Sequence, residues 1–447
     1  MFVLAGCYVV TMNGERAEYA SGYVAVSGNQ IAAVGQGPVP EALDHAQVID
    51  ASGCLVTPGL VNTHHHLYQW ATRGRAVDST LFEWLTELYP IWARIDESIV
   101  ADAATAALAW LARTGCTTST DHHYVFPRGG GDVLGATIGA ARAVGLRFHP
   151  TRGSMDLGAS SGGLPPDDVV EDIDAILAAT ERAIAAFHDP APGSMVRLGV
   201  APCSPFSVTG DLMTASAALA RKHGLRLHTH LAETTDEDDF CAERFGCRPA
   251  EYLDSLGWLA DDVWLAHGVH LDDAAIGRLA ATGTGVAHCP SSNARLGAGI
   301  CRTSALLAAG VPVGLGVDGA ASNEETSLIG EARQAVLMAR AAGGPRALTV
   351  RQSLELATLG GAALVGRSDE IGSLEPGKLA DFAVWRLNEL ASADIADPVA
   401  ALVLGPRPPL DLLVVNGAVV VERDQVVTVD ERAATAAAVR AAAALRG

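Results

Sequence analysis

Three consecutive histidines, His64, His65 and His66, stand in the segment VNTHHHLYQW. In an extended strand, neighbouring side chains point to opposite faces. His64 and His66 therefore share one face and His65 takes the other. Two imidazoles on one face at a strand end can hold a single metal ion; packing or a surface cluster is the bland alternative. Other strand ends carry matching residues. LRLHTHLAE places His230 and Glu233 where an apolar run stops, and His228 shares a face with His230, so either can be the ligand. VWLAHGVH presents His267 in the same way, and GLGVD presents Asp318. Histidines and an acid at four strand ends are hard to explain as packing. Three neutral imidazoles and a carboxylate suit zinc or iron(II), with room left for water.

The remaining histidines read as structural. His45, His188 and His223 fall in turns or helix ends and read as solvated, and His149 and His288 as satisfied core groups. His122 and His123 follow the second strand at the rim of a pocket, where substrate contact and packing are equally good readings. The acidic run DEDD, residues 236–239, reads as a solvated cluster.

The elements that must position these groups alternate. The candidate strands are LVTPGLVNTHH, GCTTSTD, LRFHPT, VRLGVAP, LRLHTHLA, VWLAHGV, GVAHCP and PVGLGVD. Ala- and Leu-rich helical stretches such as VADAATAALAWLART and DVVEDIDAILAATERAIAAFH fill the gaps. Strands alternating with helices predict a parallel sheet. Eight such units predict a closed (β/α)8 barrel over residues 57–373, with its site at the C-terminal strand ends. An open doubly wound sheet is the alternative, but no phosphate-binding glycine motif follows any strand. The ends differ. Residues 1–56 and 374–430 are strand and turn, with hinges at Ser-Gly-Asn and Asn-Gly. They are expected to pair into one small, discontinuous β-sandwich domain. The tail ERAATAAAVRAAAALRG, residues 431–447, reads as a final helix.

Bulk properties narrow the function. A net charge of -20 over 447 residues argues against a nucleic-acid partner. The first residues lack a basic n-region and read as a strand rather than a signal peptide. No apolar run approaches the ~20 residues of a membrane span. Eight scattered cysteines without a C-x-x-C pair predict reduced thiols. A cytoplasmic enzyme that meets a neutral or weakly charged small molecule, and assembles as a homo-oligomer, is the expectation. The only lysines are Lys222 and Lys378.

These residues, in this order, resemble the amidohydrolase superfamily. PGLVNTHHH is similar to its first-strand motif, and IGSLEPGKLADFAVW to its return into the β domain. Two-metal members of that superfamily bridge their ions with a lysine on the fourth strand. Here that strand, VRLGVAP, has none, and Lys222 and Lys378 lie elsewhere. The resemblance therefore implies one metal and the deaminase branch. HLAE, AHGVHL, HCPSSNARLGAG and GVDGAASN are similar to the guanine, cytosine and triazine aminohydrolases. HHHLYQ, TTSTDHHYVFP and RGSMDLGASSGGLPPDDV resemble the 8-oxoguanine deaminases, and next the hydroxyatrazine and triazine hydrolases. PCSPF lacks the second cysteine of the small zinc-deaminase fold.

The resemblance implies roles. His64, His66, His230 and Asp318 would hold one divalent metal per chain, zinc with iron(II) as the alternative, which lowers the pKa of water toward ~7. His267 would orient that water. Glu233 would protonate a ring nitrogen, and Asp318 would pass the water's proton to departing ammonia. Gln69 resembles the amide that holds a purine edge. Trp84, Tyr124, Arg152 and Cys203 are further pocket candidates, chosen by match and by their place near strand ends, and each is explained as well by a structural role. The implied activity is hydrolysis of 8-oxoguanine to urate and ammonia, with isocytosine as a second substrate. The rivals are an alkylamino- or chlorotriazine hydrolase, a cyclic amidase, which the missing lysine disfavours, and an inactive binding barrel, which the complete ligand set disfavours.

Overall fold

The computed structural model describes residues 1–446. Gly447, the end of the expected terminal helix, lies outside the described residues. Eight strands form the barrel: β1 (Leu60–Asn62), β2 (Cys116–His123), β3 (Arg147–Ser154), β4 (Gly199–Pro202), β5 (Arg226–Leu231), β6 (Val263–His267), β7 (Gly285–His288) and β8 (Val313–Leu315). They pair in chain order, each parallel to the next. Such strands are covered on both faces, and every residue of β2 and β3 is buried. The ring closes where Thr63 donates its backbone N–H and its hydroxyl to the Leu315 carbonyl at 3.0 and 2.8 Å. Beyond that point His65 and Asp318 pair in parallel register. Closure thus brings the histidine run beside the residue that ends the eighth strand.

Helices between the strands begin on side-chain caps that the sequence supplies. Asp96, Asp132, Asp172, Thr209 and Asp272 each accept a backbone N–H from the first helical turn. The caps fix where each helix starts and hence the length of the loop leaving each strand.

The two ends of the chain meet in one nine-stranded mixed sheet. The seam is Cys54–Pro58 against Phe382–Arg386, antiparallel, with Val56 opposite Val384. Alternation divides this sheet. Val56, Phe382, Val384, Leu412 and Val414 face a separate core with Leu4, Val24 and Ile31. Leu55, Ala383, Trp385 and Leu413 turn to the barrel's core. The β domain of the two chain ends is thus one continuous sheet whose faces pack on two different cores. The Asn-Gly hinge forms a hairpin with Asn416 and Gly417 at φ 51° and 78°, as a two-residue primed turn requires. A buried ion pair joins the domain to the barrel floor: Arg147 places Nε and Nη2 on the Asp381 carboxylate at 2.9 and 3.1 Å. The helix Glu431–Ala444 lies across the helix Glu97–Arg113. No helix among the described residues is long and apolar enough to cross a membrane.

Candidate metal and catalytic site

The groups singled out by type and spacing converge at the C-terminal mouth of the barrel. His64 and His66 follow β1, and His230 stands near the end of β5. His267 is the last residue of β6, and Asp318 follows β8. His267 and Asp318 adopt φ of 74° and 61°. That left-handed region costs a non-glycine residue about 1–2 kcal/mol. The rest of the fold holds both there, and the backbone turns sharply as each strand ends.

Hydrogen bonds fix which nitrogen of each imidazole carries the proton. His228 has Nδ1 2.8 Å from the Trp264 carbonyl. A carbonyl only accepts, so His228 is protonated at Nδ1 and its Nε2 is an acceptor. His64 Nδ1 lies 2.8 Å from that Nε2 and must donate to it. His66 Nδ1 donates to the His122 carbonyl and His230 Nδ1 to the Cys203 carbonyl, both at 2.7 Å. His64, His66 and His230 consequently all present a bare Nε2 lone pair. His66 Nε2 and His230 Nε2 stand 3.1 Å apart. The Asp318 Oδ1 is 3.3 Å from Nε2 of both His64 and His66. Four acceptor atoms crowd together without a proton between them. Burial keeps His64 neutral against the pull of Asp318, holding its pKa down to about 3, and burial followed by the neighbouring histidines keeps His230 neutral. A divalent cation is what such a donor set fits.

His122 joins the same group. One ligand atom each from His64, His66, His122 and His230 lies within 4.8 Å of the others. His122 donates Nε2–H to the Ala201 carbonyl at 2.9 Å, and its buried Nδ1 has no hydrogen-bond partner. Neither His122 nor His123 is at a pocket rim: both end β2 in full burial, because that strand runs to His123.

The acids differ in charge. Burial alone would raise the Asp318 carboxyl, but His64 and His66 outweigh it and hold it well below the usual range. Ser292 donates to its Oδ2 at 2.6 Å and the Gly319 N–H to its Oδ1 at 2.7 Å. Glu233 moves the other way. Burial, then the charges of Asp318 and Glu237, push it well above the carboxylate range, which favours the proton-bearing form. His267 donates Nδ1–H to Asn293 Oδ1 at 3.0 Å. Its Nε2 then faces Glu233 Oε2 at 3.4 Å and Asp318 Oδ2 at 4.0 Å.

The cavity beside these groups is small, about 30 Å³. Gln69, Trp84, Tyr124 and Cys203 line it with Glu233, His267 and Asp318. Both amide atoms of Gln69 are buried without a hydrogen-bond partner. A Cβ at position 319 would lie 1.7 Å from Gln69 Oε1, so Gly319 is what leaves the amide its place. Trp84 donates its indole N–H to the Ala321 carbonyl at 3.1 Å, and Tyr124 meets His66 edge-on at 5.1 Å. Arg152 does not line this cavity. Its guanidinium lies 3.8 Å over the Phe126 ring and pairs with Glu171 at 2.8 Å, in an outer groove between helices Val133–Val144 and Ile173–Phe187.

Several groups escaped the sequence reading. His228, left open as a ligand, stands behind His64 and sets its tautomer. Glu237, inside the run read as solvated, is fully buried and accepts the N–H groups of Ala232 and Glu233 at 2.8 and 3.1 Å. It fastens the backbone that carries Glu233. Ser292 and Asn293, in the short helix Pro290–Arg295 after β7, reach Asp318 and His267 from one turn. Polar residues directly after a strand were the available signal. Asn293→Ala should lower turnover about 10–100-fold while metal content stays near that of the wild type, and Asn293→Asp should restore part of it, since a carboxylate also accepts from Nδ1–H. Unchanged turnover in Asn293→Ala would show that His267 needs no such partner.

The family model described as Amidohydrolase family matches residues 55–420. The 8-oxoguanine deaminase of Pseudomonas aeruginosa is 49% identical over 412 residues, covering 92% of this chain and 91% of that protein. The hydroxydechloroatrazine ethylaminohydrolase of a Pseudomonas species is 40% identical over 395 residues, covering 86% and 82%. Among solved structures, atrazine chlorohydrolase TrzN from Arthrobacter aurescens TC1 complexed with zinc superposes with a TM-score of 0.94 at 32% identity, covering 99% of this chain and 100% of that one. Fold, site and sequence agree: this chain belongs to the amidohydrolase family.

Proposed function

We propose that this protein is a zinc-dependent deaminase of 8-oxoguanine, giving urate and ammonia, with isocytosine as a second substrate. The observation that carries the reading is the joint presence of three Nε2 lone pairs, a low-pKa Asp318 and a high-pKa Glu233 around one cavity. The identity of 49% to an 8-oxoguanine deaminase supports the substrate.

His64, His66, His230 and Asp318 would hold the metal, which when bound makes water nucleophilic at neutral pH. The protein's own groups do the rest. His267, fixed by Asn293, turns Nε2 toward the attacking water and orients it. Asp318 takes a proton from that water and gives it to the departing amine. Glu233 enters protonated and donates to the ring nitrogen next to the amino-bearing carbon. It recovers a proton from the new hydroxyl as the C–N bond breaks and a carbonyl forms. Gln69 holds the purine edge with an amide that has no partner in the protein. General acid–base steps of this kind contribute roughly 10²–10⁴-fold.

A second reading, an alkylaminotriazine hydrolase, draws on the cavity's apolar wall of Leu81, Leu85, Phe206 and Leu296. The identity to the ethylaminohydrolase, 40%, is lower than the 49% to the 8-oxoguanine deaminase, which places this reading second. Comparing kcat/KM for 8-oxoguanine, guanine, isocytosine and hydroxyatrazine on zinc-loaded enzyme separates the readings. We expect 8-oxoguanine to lead; a lead for hydroxyatrazine, or no ammonia from 8-oxoguanine, sinks the substrate assignment. Glu233→Gln should keep its metal and lose about 10²–10⁴-fold in turnover. Near wild-type turnover in that variant would exclude Glu233 as the proton donor.

A further inference from the structure

At the opposite end of the barrel from the site lies a half-open cavity of about 200 Å³. It forms where β4 and β5 begin, and His149, His188, Arg197 and Arg226 supply its polar lining. Leu198, Leu225 and Trp264 are among its apolar lining residues, and no carboxylate is among the described residues that line it.

The donors facing it are only partly used. His149, read from the sequence as a satisfied core group, is 6% exposed, and its buried Nε2 has no hydrogen-bond partner. Arg226 lies against Gly366 and gives Nη2–H to the Asp261 carbonyl at 2.8 Å, while its buried Nε has no partner. His188 accepts the Leu198 N–H at Nδ1, 3.1 Å away, so a neutral ring carries its proton on Nε2 as a donor.

The lining of the cavity carries two arginines although the chain is strongly acidic. Arg147, Arg197, Arg226 and Arg367 all act on His149, which burial above all, and then these four cations, hold neutral. Asp381 answers Arg147, and Glu370 is shared by Arg197 and Arg367. Asp262 is engaged by Arg221, and solvent-exposed Asp261 offers Arg226 its backbone carbonyl. The charges of Asp261 and Asp262 also reach Arg226, and that of Asp189 reaches His188, so the cationic character belongs to the lining itself, which holds two arginines and no carboxylate among the described residues. At physiological salt the screening length is about 8 Å, so the chain's distant acids count for little here.

We propose that this cavity binds a phosphate-type oxyanion, read by Arg226, Arg197, His188 and His149, either as free phosphate or as the phosphate group of a small metabolite. A planar guanidinium with an unused Nε–H, beside the His188 Nε2–H and an unpartnered nitrogen of neutral His149, is suited to phosphate oxygens. None of these residues contributes to the deaminase site, so the assignment is independent of the substrate proposed above.

The test is calorimetric titration of the full-length, zinc-loaded protein with inorganic phosphate, and separately with guanosine monophosphate, at fixed ionic strength. The expected result is one site per chain with a Kd of about 1 mM or tighter for at least one of the two. Arg226→Gln should weaken that binding at least ~10-fold, the loss of one charge-assisted contact. His188→Ala, at a half-exposed helix end, should weaken it several-fold even if Arg226→Gln does not fold. Both variants should keep wild-type turnover and KM. Tighter binding of the nucleotide would assign the source to a metabolite, and equal binding to phosphate itself; either supports the site. Absence of binding by both probes up to about 10 mM, binding unchanged in both variants, or phosphate competing with the base substrate would overturn it.

Discussion

Everything at the mouth of this barrel depends on three N–H bonds that point away from it. His64, His66 and His230 each give an Nδ1 proton to an acceptor behind the ring: His228, the His122 carbonyl and the Cys203 carbonyl. Those bonds decide that three lone pairs face inward. Bare imidazole nitrogens 3.1 Å apart, beside a carboxylate and largely buried, are best balanced around a positive charge. Two of the acceptors are backbone carbonyls on adjoining strands, so the barrel's register and the tautomers of its histidines are one constraint.

A second layer repeats the logic for the acids. Ser292 and Asn293 come from one helical turn and reach two different strand ends, which couples Asp318 to His267. Beneath them Glu331 accepts from the Ser291 N–H at 3.0 Å and the Asn323 amide at 2.8 Å, and burial pushes its pKa up to about 8. These contacts offset the cost of left-handed backbone at His267 and Asp318. Strained positions of this kind persist only where their surroundings over-determine them. The two carboxyls most exposed to this environment end with opposite tendencies, one ionised and one protonated, within reach of the same imidazole. Such a separation supplies an acid and a base at one pH.

Much of this was legible in the sequence because it follows from periodicity. Alternation within HHH separates His65 from its neighbours, and short apolar runs between helical stretches mark out eight strands. The Asn-Gly pair announces its hairpin through the two positive φ values it adopts. What stayed hidden depends on neighbours distant in the chain. His228 and His230 share a face, and only the Trp264 carbonyl on the next strand settles that one orients while the other faces inward. Glu237 stands among four acids, and only the strand-end N–H groups above it explain its burial. Arg152 sits near a strand end like the pocket residues, but Glu171 and Phe126 hold it in an outer groove. His149 looks like any core histidine until four arginines gather around it.

The central claim is that the tautomer-locked set is built for a single cation and that chemistry depends on it. Titrating metal-depleted protein with zinc while following ammonia release tests this directly. The account predicts activity that rises linearly and stops at about one equivalent per chain, as a closed set of three imidazoles and one carboxylate implies. Full activity without metal, or a requirement for a second equivalent, would contradict it.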